Sequence, residues 1–526
     1  MGTAMRFKMW SRLCLMLLLV GAISACTTPL PIAPQAGEAT PTQSAASAPI
    51  APTSPLPAET ATGIRPAAFA GTWYPGKPDE LRSTVDNFLT AVQAVDGAPI
   101  ALIVPHAGYP YSGQVAAAGF KQLAQGAYDV AVIVGADHAE PISNPIAVYP
   151  DGGFETPLGV VPVDAGLAQA LIAADPRIKA DPVAHQGEHV IEIELPFLQR
   201  VCPRCKIVPV LIGTSDPAVV QALGDALAKV LPGRQAVMIA SSDLSHYPAY
   251  ADAVAVDGDT LSAIETGDPT VVRSTIDASM ARAKGALLTC ACGESAILAV
   301  MRAAKQLGAD TVNVLRYANS GDAAGGDKSQ VVGYGAVMLW RYEPPQLSAE
   351  QRATLLTAAR TAIAEHLKTG QIPEAPAGDP VLDRPAGAFV TLTKTGELRG
   401  CIGHMAADAP MVRNIQEMAV AAAESDPRFP ALTPEELGRV KLEISVLSPL
   451  RRVTDTNAIR VGTDGLMIVK YGASGVFLPQ VPVQEGWDRG AYLENLCLKA
   501  GLERGCWKEN AKLYAFTAVV FGEDEP

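Results

Sequence analysis

The sequence predicts an α/β protein, with a largely parallel sheet flanked by helices, followed by a smaller α+β domain. Three observations predict it. Between about residues 65 and 342, continuous Val/Ile runs alternate with amphipathic segments, the pattern of strands buried on both faces and joined by helices. Beyond "RYEPPQ" the pattern changes to paired short strands around turn residues. The 526 residues also exceed what one core accommodates.

The first segment, "MRFKMWSRLCLMLLLVGAISAC", places Arg6, Lys8 and Arg12 before a short apolar run and small residues ending at Cys26. Charge, apolar stretch and small residues in that order predict a secretion signal over residues 1–26. Ile23-Ser24-Ala25-Cys26 resembles a lipobox, so Cys26 is expected to be lipidated and to anchor the chain on the extracytoplasmic side of the cell membrane. Residues 27–64 are Pro, Ala, Thr and Ser with almost no charge and no aromatic residue. Such a stretch buries too little apolar surface to offset its ordering entropy, and is expected to be a disordered linker.

Residues 65–343 then form the first expected domain. "PDELRSTVDNFLTAVQAV" is an amphipathic helix, "PIALIVP" a buried strand, "GQVAAAGFKQLAQG" a helix and "YDVAVIVGAD" a second buried strand. "KIVPVLIG", "QAVMIASSD", "VNVLRYA" and "VVGYGAVMLW" are further strands, with helices at "DPAVVQALGDALAKVL" and "ESAILAVMRAAKQLG". "HQGEHVIEIELPFLQ" is expected to be a helix starting near Glu188. "CPRC", Cys202 to Cys205, lies between helix and strand without a second Cys/His pair at zinc-ribbon spacing, and is expected to close a turn as a disulfide. The second domain, residues 346–526, opens with the helix "SAEQRATLLTAARTAIAEHLKTG" and a hairpin, "GAFVTLTKTGELRGCIG", turning at Thr-Gly.

Composition excludes some partners. With 41 basic against 54 acidic residues and net charge −13, the chain carries no phosphate-backbone footprint, so no nucleic acid is expected. No Gly-rich phosphate motif follows any strand, which removes the usual signal for nucleotides.

The polar residues concentrate at strand ends. His106 follows "IALIV", His138 follows "VAVIVGAD", and Asp243 and His246 follow "MIASS", so three strands deliver imidazole or carboxylate to one end of the sheet, where α/β ligand sites form. Cys292 adds a thiol at a helix start, whose dipole favours thiolate. His106, His138 and Cys292 make an N,N,S set suited to iron, copper or zinc and unsuited to magnesium or calcium. Each alone also reads as a hydrogen-bonded loop histidine or a small buried thiol; five of the seven histidines falling in this domain carries the inference. His189 and Glu192, three apart, are expected to share a helix face with Glu188 beside them, either turned toward that site or forming a solvated acidic first turn.

The motif order "AGTWYPGKPDELRSTVDNFL", "PHAGYPYSG", "GADH", "GEHVIEIELPF", "SSDLSHY" and Cys-Gly resembles the Memo family, also called AmmeMemoRadiSam system protein B, over about residues 66 to 342. The resemblance implies a fold similar to class III extradiol dioxygenases that use non-haem iron, metal ligands at His106, His138 and Cys292, and a catalytic base at His246. "TCACGESA" departs from it by an added Cys290, read either as an inert strand residue or as a redox neighbour. "ELRGCIGHM", "SDPRFPALT", "LEISVLSP" and "GVFLPQVPVQEGW" resemble AmmeMemoRadiSam system protein A over about residues 346 to 524. There Arg399, Cys401 and Arg428 are the candidates for a second site, read either as an anion grip with a low-pKa thiol or as a buried strand cysteine beside a loop closed by Arg428 on Asp426.

Two classes of function follow. In one, a metal-dependent oxidoreductase holds iron or copper, ahead of zinc, on His106, His138 and Cys292, His246 moves protons, and Asp243, Glu188 or His189 assist on a small-molecule substrate. In the other, a non-catalytic metal-binding or adaptor module carries the same ion. The family name implies association with a radical SAM protein, which the signal segment places in a different compartment.

Overall fold

The computed structural model describes residues 63–95, 97–139, 143–283, 286–509 and 511–524. The signal segment, Cys26 and the linker up to residue 62 lie outside the described residues. Among the described residues, no helix is long and apolar enough to cross a membrane.

Eight strands form the central sheet: β1 (Pro99–Val104), β2 (Val130–Ala136), β3 (Ile146–Val148), β4 (Ile178–Ala180), β5 (Lys206–Ile212), β6 (Ala236–Ser241), β7 (Thr311–Asn319) and β8 (Gly333–Trp340). Their order is β7-β8-β1-β6-β2-β5-β3-β4. The centre, β1-β6-β2-β5, is parallel. On one side β8 runs antiparallel to both β1 and β7, and on the other β3 runs antiparallel to β5 while pairing parallel with β4. The sheet is therefore mixed, with parallel pairing confined mainly to its middle; β7 returns to β8 without a crossover helix, which only antiparallel neighbours allow. Ala101–Val104, Val130–Val134 and Val237–Ala240 are all buried, because helices cover both faces. Helix Tyr109–Phe120 packs on β1, β7 and β8, and helix Glu294–Gln306 on β1, β2, β6 and β8.

One strand placement sets up the site. β6 lies between β1 and β2, with Ser241 in register with Val104 on one side and Gly135 on the other. The residues that follow these three strands therefore emerge side by side.

The helix expected from Glu188 starts later. Glu192–Glu194 is a 3₁₀ turn and the α-helix is Leu195–Val201. The carboxylates of this segment bond distant backbone and side-chain groups. Glu192, fully buried, accepts from Arg65 (2.5 Å), Tyr74 Oη (2.6 Å), Phe69 N (2.8 Å) and Ala68 N (3.0 Å). It thus pins the entry strand Ile64–Arg65, and His189, lying ahead of the first helical turn, shares no helix with it.

The second domain holds β9 (Ala388–Lys394), β10 (Glu397–His404), β11 (Val440–Leu447), β12 (Arg451–Arg452), β13 (Gly465–Lys470), β14 (Ala473–Phe477), β15 (Lys512–Phe516) and β16 (Ala518–Gly522). They form two antiparallel four-stranded sheets, β10-β9-β11-β16 and β12-β15-β13-β14. The β9–β10 hairpin turns at Thr395 and Gly396, both at positive φ (53° and 84°), as a two-residue turn twisted with its strands requires. Helices Ala349–Thr369 and Met411–Glu424 cover the first of these sheets. Among the described residues there are two disulfides, Cys202–Cys205 closing the turn before β5 and Cys497–Cys506 tying helix Arg489–Lys499 to the turn after it. Sequence reasoning expected only the first.

Candidate metal centre

His106, His138 and Cys292 each offer a ligand atom, and these atoms lie within 4.8 Å of one another. His106 is delivered by β1, His138 by β2, and Cys292 by the turn ahead of helix Glu294–Gln306, which packs beneath the same strand ends. His106 is 2 % exposed, whereas His138 is exposed and Cys292 half-buried. The open side is a cleft of about 560 Å³ whose walls include His138, Thr214, Thr289, Cys292 and Ser295.

Each histidine has its backbone held by a buried carboxylate. Asp243 Oδ1 accepts from the N–H groups of His106 (2.9 Å) and Ala107 (3.3 Å). Glu188 Oε2 accepts from those of His138 (2.5 Å) and Ala139 (3.1 Å), while its Oε1 accepts from His189 N (2.7 Å) and Val190 N (3.2 Å). Against burial, which pushes it up, the hydrogen bonds from His189 and from the His138 N–H hold the Glu188 carboxyl at about 2. Burial raises Asp243 to about 7, partly offset by the His106 N–H. Burial, with His189 and His138 nearby, lowers His106 well below the usual histidine range, so its imidazole is neutral.

The ring nitrogens are arranged for ligation. His106 Nε2 lies 3.2 Å from Cys292 Sγ, and His138 Nδ1 lies 3.2 Å from the carbonyl of Ala136, which leaves its Nε2 outward. The Cys292 thiol departs from expectation: burial, then Asp243, push it up despite the adjacent helix start. A thiolate there needs a cation for company, which a metal supplies on displacing the proton. Two imidazoles and one thiol converging within bonding reach fit a borderline transition metal.

The remaining expected residues surround this group in different ways. Asp243 and Glu188 hold ligand backbone. His189 donates Nδ1–H to Glu188 Oε1 at 2.9 Å, and its ring centre lies 5.1 Å from that of His106, 5.3 Å from that of His138 and 4.3 Å from that of Trp73. It is thus a third imidazole at the centre. His246 bonds the Leu244 carbonyl through Nδ1 at 3.0 Å, and burial lowers its pKa, with His138 adding to the effect. Cys290 is fully buried outside any strand, and burial pushes its thiol up to about 11.

The second-domain group is different. Arg399 pairs with Glu436 at 3.0 Å, and Arg428 pairs with Asp426 at 2.5 Å. Cys401 lies within β10 and takes a hydrogen bond from Thr391 Oγ1 at 3.3 Å. Burial pushes its thiol up, which accords with the reading of a strand cysteine beside a loop closed by Arg428 on Asp426 rather than with that of a low-pKa nucleophile. Both arginines are already neutralised by carboxylates, which removes the anion grip.

Sequence reasoning missed Ser241, Glu194 and Trp73 near the centre. Glu194 had a signal, one of two acids in the otherwise apolar "VIEIELPF"; Ser241 and Trp73 stood within the quoted motifs with no signal of their own.

Two family models match the sequence of this chain. The model described as Memo-like protein matches residues 65–338, and the one described as AMMECR1 matches residues 356–521. A MEMO1 family protein of Thermotoga petrophila is 34% identical over 296 residues, covering 52% of this chain and 99% of the relative. A MEMO1 family protein of Methanosarcina mazei is 34% identical over 279 residues, with the same coverage. An uncharacterized protein of Pyrococcus horikoshii, known by crystal structure, is 41% identical, covering 33% of this chain and 91% of its own, with a TM-score of 0.32.

Proposed function

The chain belongs to the Memo-like family, whose fold is related to that of extradiol dioxygenases, and from that premise we propose that it is a metal-dependent oxidoreductase binding iron or copper through His106, His138 and Cys292. The observation that carries this reading is the convergence of the three ligand atoms within 4.8 Å beside an open cleft. A metal bound there supplies Lewis-acid and redox chemistry to a small molecule in the cleft. Asp243 and Glu188 fix the two ligand loops, His189 offers an imidazole anchored on Glu188, and His246 holds or moves a proton at the edge of the site. Metal analysis of the full chain, purified without added metal, tests the reading: wild type carries iron or copper, and His106→Ala carries little. Equal content in both would overturn it. Dioxygen consumption by the loaded protein separates an oxidoreductase from a carrier or adaptor of the same ion.

We also propose an extracytoplasmic, lipid-anchored location through Cys26, supported by two disulfides of a kind that persists in oxidising compartments. Membrane fractionation of Cys26→Ala, expected to release the protein or leave a precursor, tests it. Association with a radical SAM protein, as the AmmeMemoRadiSam name implies, would then be functional rather than direct.

A further inference from the structure

Behind His106, on the side away from Cys292, the hydroxyl of Ser241 is fully buried and faces three groups. The Val190 carbonyl lies 2.7 Å away, Glu194 Oε1 2.9 Å and His106 Nδ1 2.9 Å. A hydroxyl has one hydrogen to give and two lone pairs to receive with. The Val190 carbonyl can only accept, so the hydroxyl hydrogen belongs to that contact, which is also the shortest. The other two groups must then donate to the Ser241 oxygen. His106 does so as Nδ1–H, and Glu194 does so as a neutral carboxylic acid.

We propose that Ser241 and Glu194 are positioning residues for the metal site, holding His106 as the tautomer whose Nδ1 carries the hydrogen and whose Nε2 stays open beside Cys292. The proposal rests on the reading of His106 as a ligand. The opposite tautomer would set the Ser241 hydroxyl toward His106, leave the Val190 carbonyl facing an oxygen at 2.7 Å without a hydrogen between them, and put a hydrogen on the nitrogen that faces Cys292. Independently of this count, burial raises the Glu194 carboxyl well above the usual range, with Asp243 adding to it against the Ser241 hydrogen bond. A ligating imidazole fixed through its second nitrogen is a recurrent requirement of metal centres, and loss of such a partner typically costs about 10- to 100-fold in affinity.

Two measurements test it on the full chain. Cobalt(II) is titrated into metal-free wild type, Ser241→Ala and Glu194→Gln, following the thiolate-to-cobalt absorption. Ser241→Ala is expected to bind at least about 10-fold more weakly, while Glu194→Gln, whose amide N–H can donate to Ser241 as the acid does, stays within about threefold of wild type. On the same metal-free proteins, imidazole ¹⁵N spectra report the His106 tautomer. Wild type should show Nδ1–H alone and Ser241→Ala a mixture, with unchanged melting temperature showing that the fold is retained. Infrared spectra should show a carboxylic acid carbonyl band at neutral pH that Glu194→Gln removes. Cobalt binding by Ser241→Ala equal to wild type would overturn the proposal and leave the metal site standing. Absence of cobalt binding in wild type would instead overturn the proposed function, and the tautomer spectrum would still decide the role of Ser241: Nε2–H on His106 in wild type would overturn it. An infrared band unchanged in Glu194→Gln would remove Glu194 from the pair.

Discussion

In the first domain, carboxylates hold the backbone of the metal-binding loops and leave the imidazole and thiol atoms free to converge; in the second, carboxylates hold the candidate side chains themselves. Asp243 and Glu188 accept from the N–H groups of His106 and His138, whereas Glu436 and Asp426 close directly on Arg399 and Arg428. Both regions are rich in polar residues of catalytic type. Only the first leaves ligand atoms pointing at a common position. What separates a site from a structural network is therefore which atoms the charges consume, a property of three-dimensional pairing that residue type does not carry.

The largest expected effect probes the buried half of this contrast. Arg65 and Glu192 are both essentially inaccessible, so Glu192→Ala strands a buried guanidinium and should lower stability by about 3–5 kcal/mol. Denaturant unfolding checks this, and a loss below about 1 kcal/mol would mean that the pair is hydrated in solution. Next comes the thiol comparison. Cys292→Ser should weaken transition-metal binding about 100-fold, since serine stays protonated and is a poor ligand. Cys401→Ser should leave metal binding unchanged, and an equal loss in both would erase the distinction between the two regions.

A smaller, pH-dependent effect belongs to His185, which is 1 % exposed and whose imidazole burial lowers to about 3. Below the ordinary histidine pKa the unfolded chain takes up a proton that the folded one refuses. Its contribution to stability is therefore intact above about pH 6.5 and is lost as pH falls from there toward 3, by up to about 1.4 kcal/mol per pH unit. Unfolding of wild type and His185→Gln at pH 7 and pH 5.5 should show the wild type losing ground to the variant on acidification; parallel behaviour would indicate that water reaches the ring. The smallest effect is expected for Arg428→Gln: Arg428 is partly exposed, and the buried carboxylate of Asp426 keeps the N–H groups of Cys401 and residue 428 as donors, so the loss should be about 1 kcal/mol. A larger loss would raise the second-domain network to the rank of the first.

The centre of the sheet was legible because its strands are buried on both faces and read as unbroken apolar runs, and the positions of His106, His138 and Asp243 at their ends followed from that. The edges were not, since β7, β8 and β3 carry the same composition whether they run parallel or antiparallel. The segment after Glu188 misled for a related reason: its 3.6-residue pattern is real, but Glu188 and Glu192 bond groups far along the chain, Glu192 reaching the Arg65 guanidinium 127 residues away. Cys497 and Cys506, nine apart, meet only because helix Arg489–Lys499 folds its last turn back on the following loop. Ser241 looked like any small residue in "IASSD", and its role comes from having β1 and β2 as neighbours.

Asp426 has a second consequence beyond neutralising Arg428. β10 is the outermost strand of its sheet, and the carboxylate of Asp426 accepts the main-chain N–H of Cys401 at 2.9 Å, while Arg428 Nη2 donates to the Cys401 carbonyl at 3.3 Å. An exposed strand margin is a template on which another chain can add a strand. Here one acid and one base occupy a donor and an acceptor of that margin, so the pair works as a stopper against sheet extension. Its worth would be read less in the melting temperature than in how long concentrated protein stays monodisperse once Asp426 is replaced by Ala.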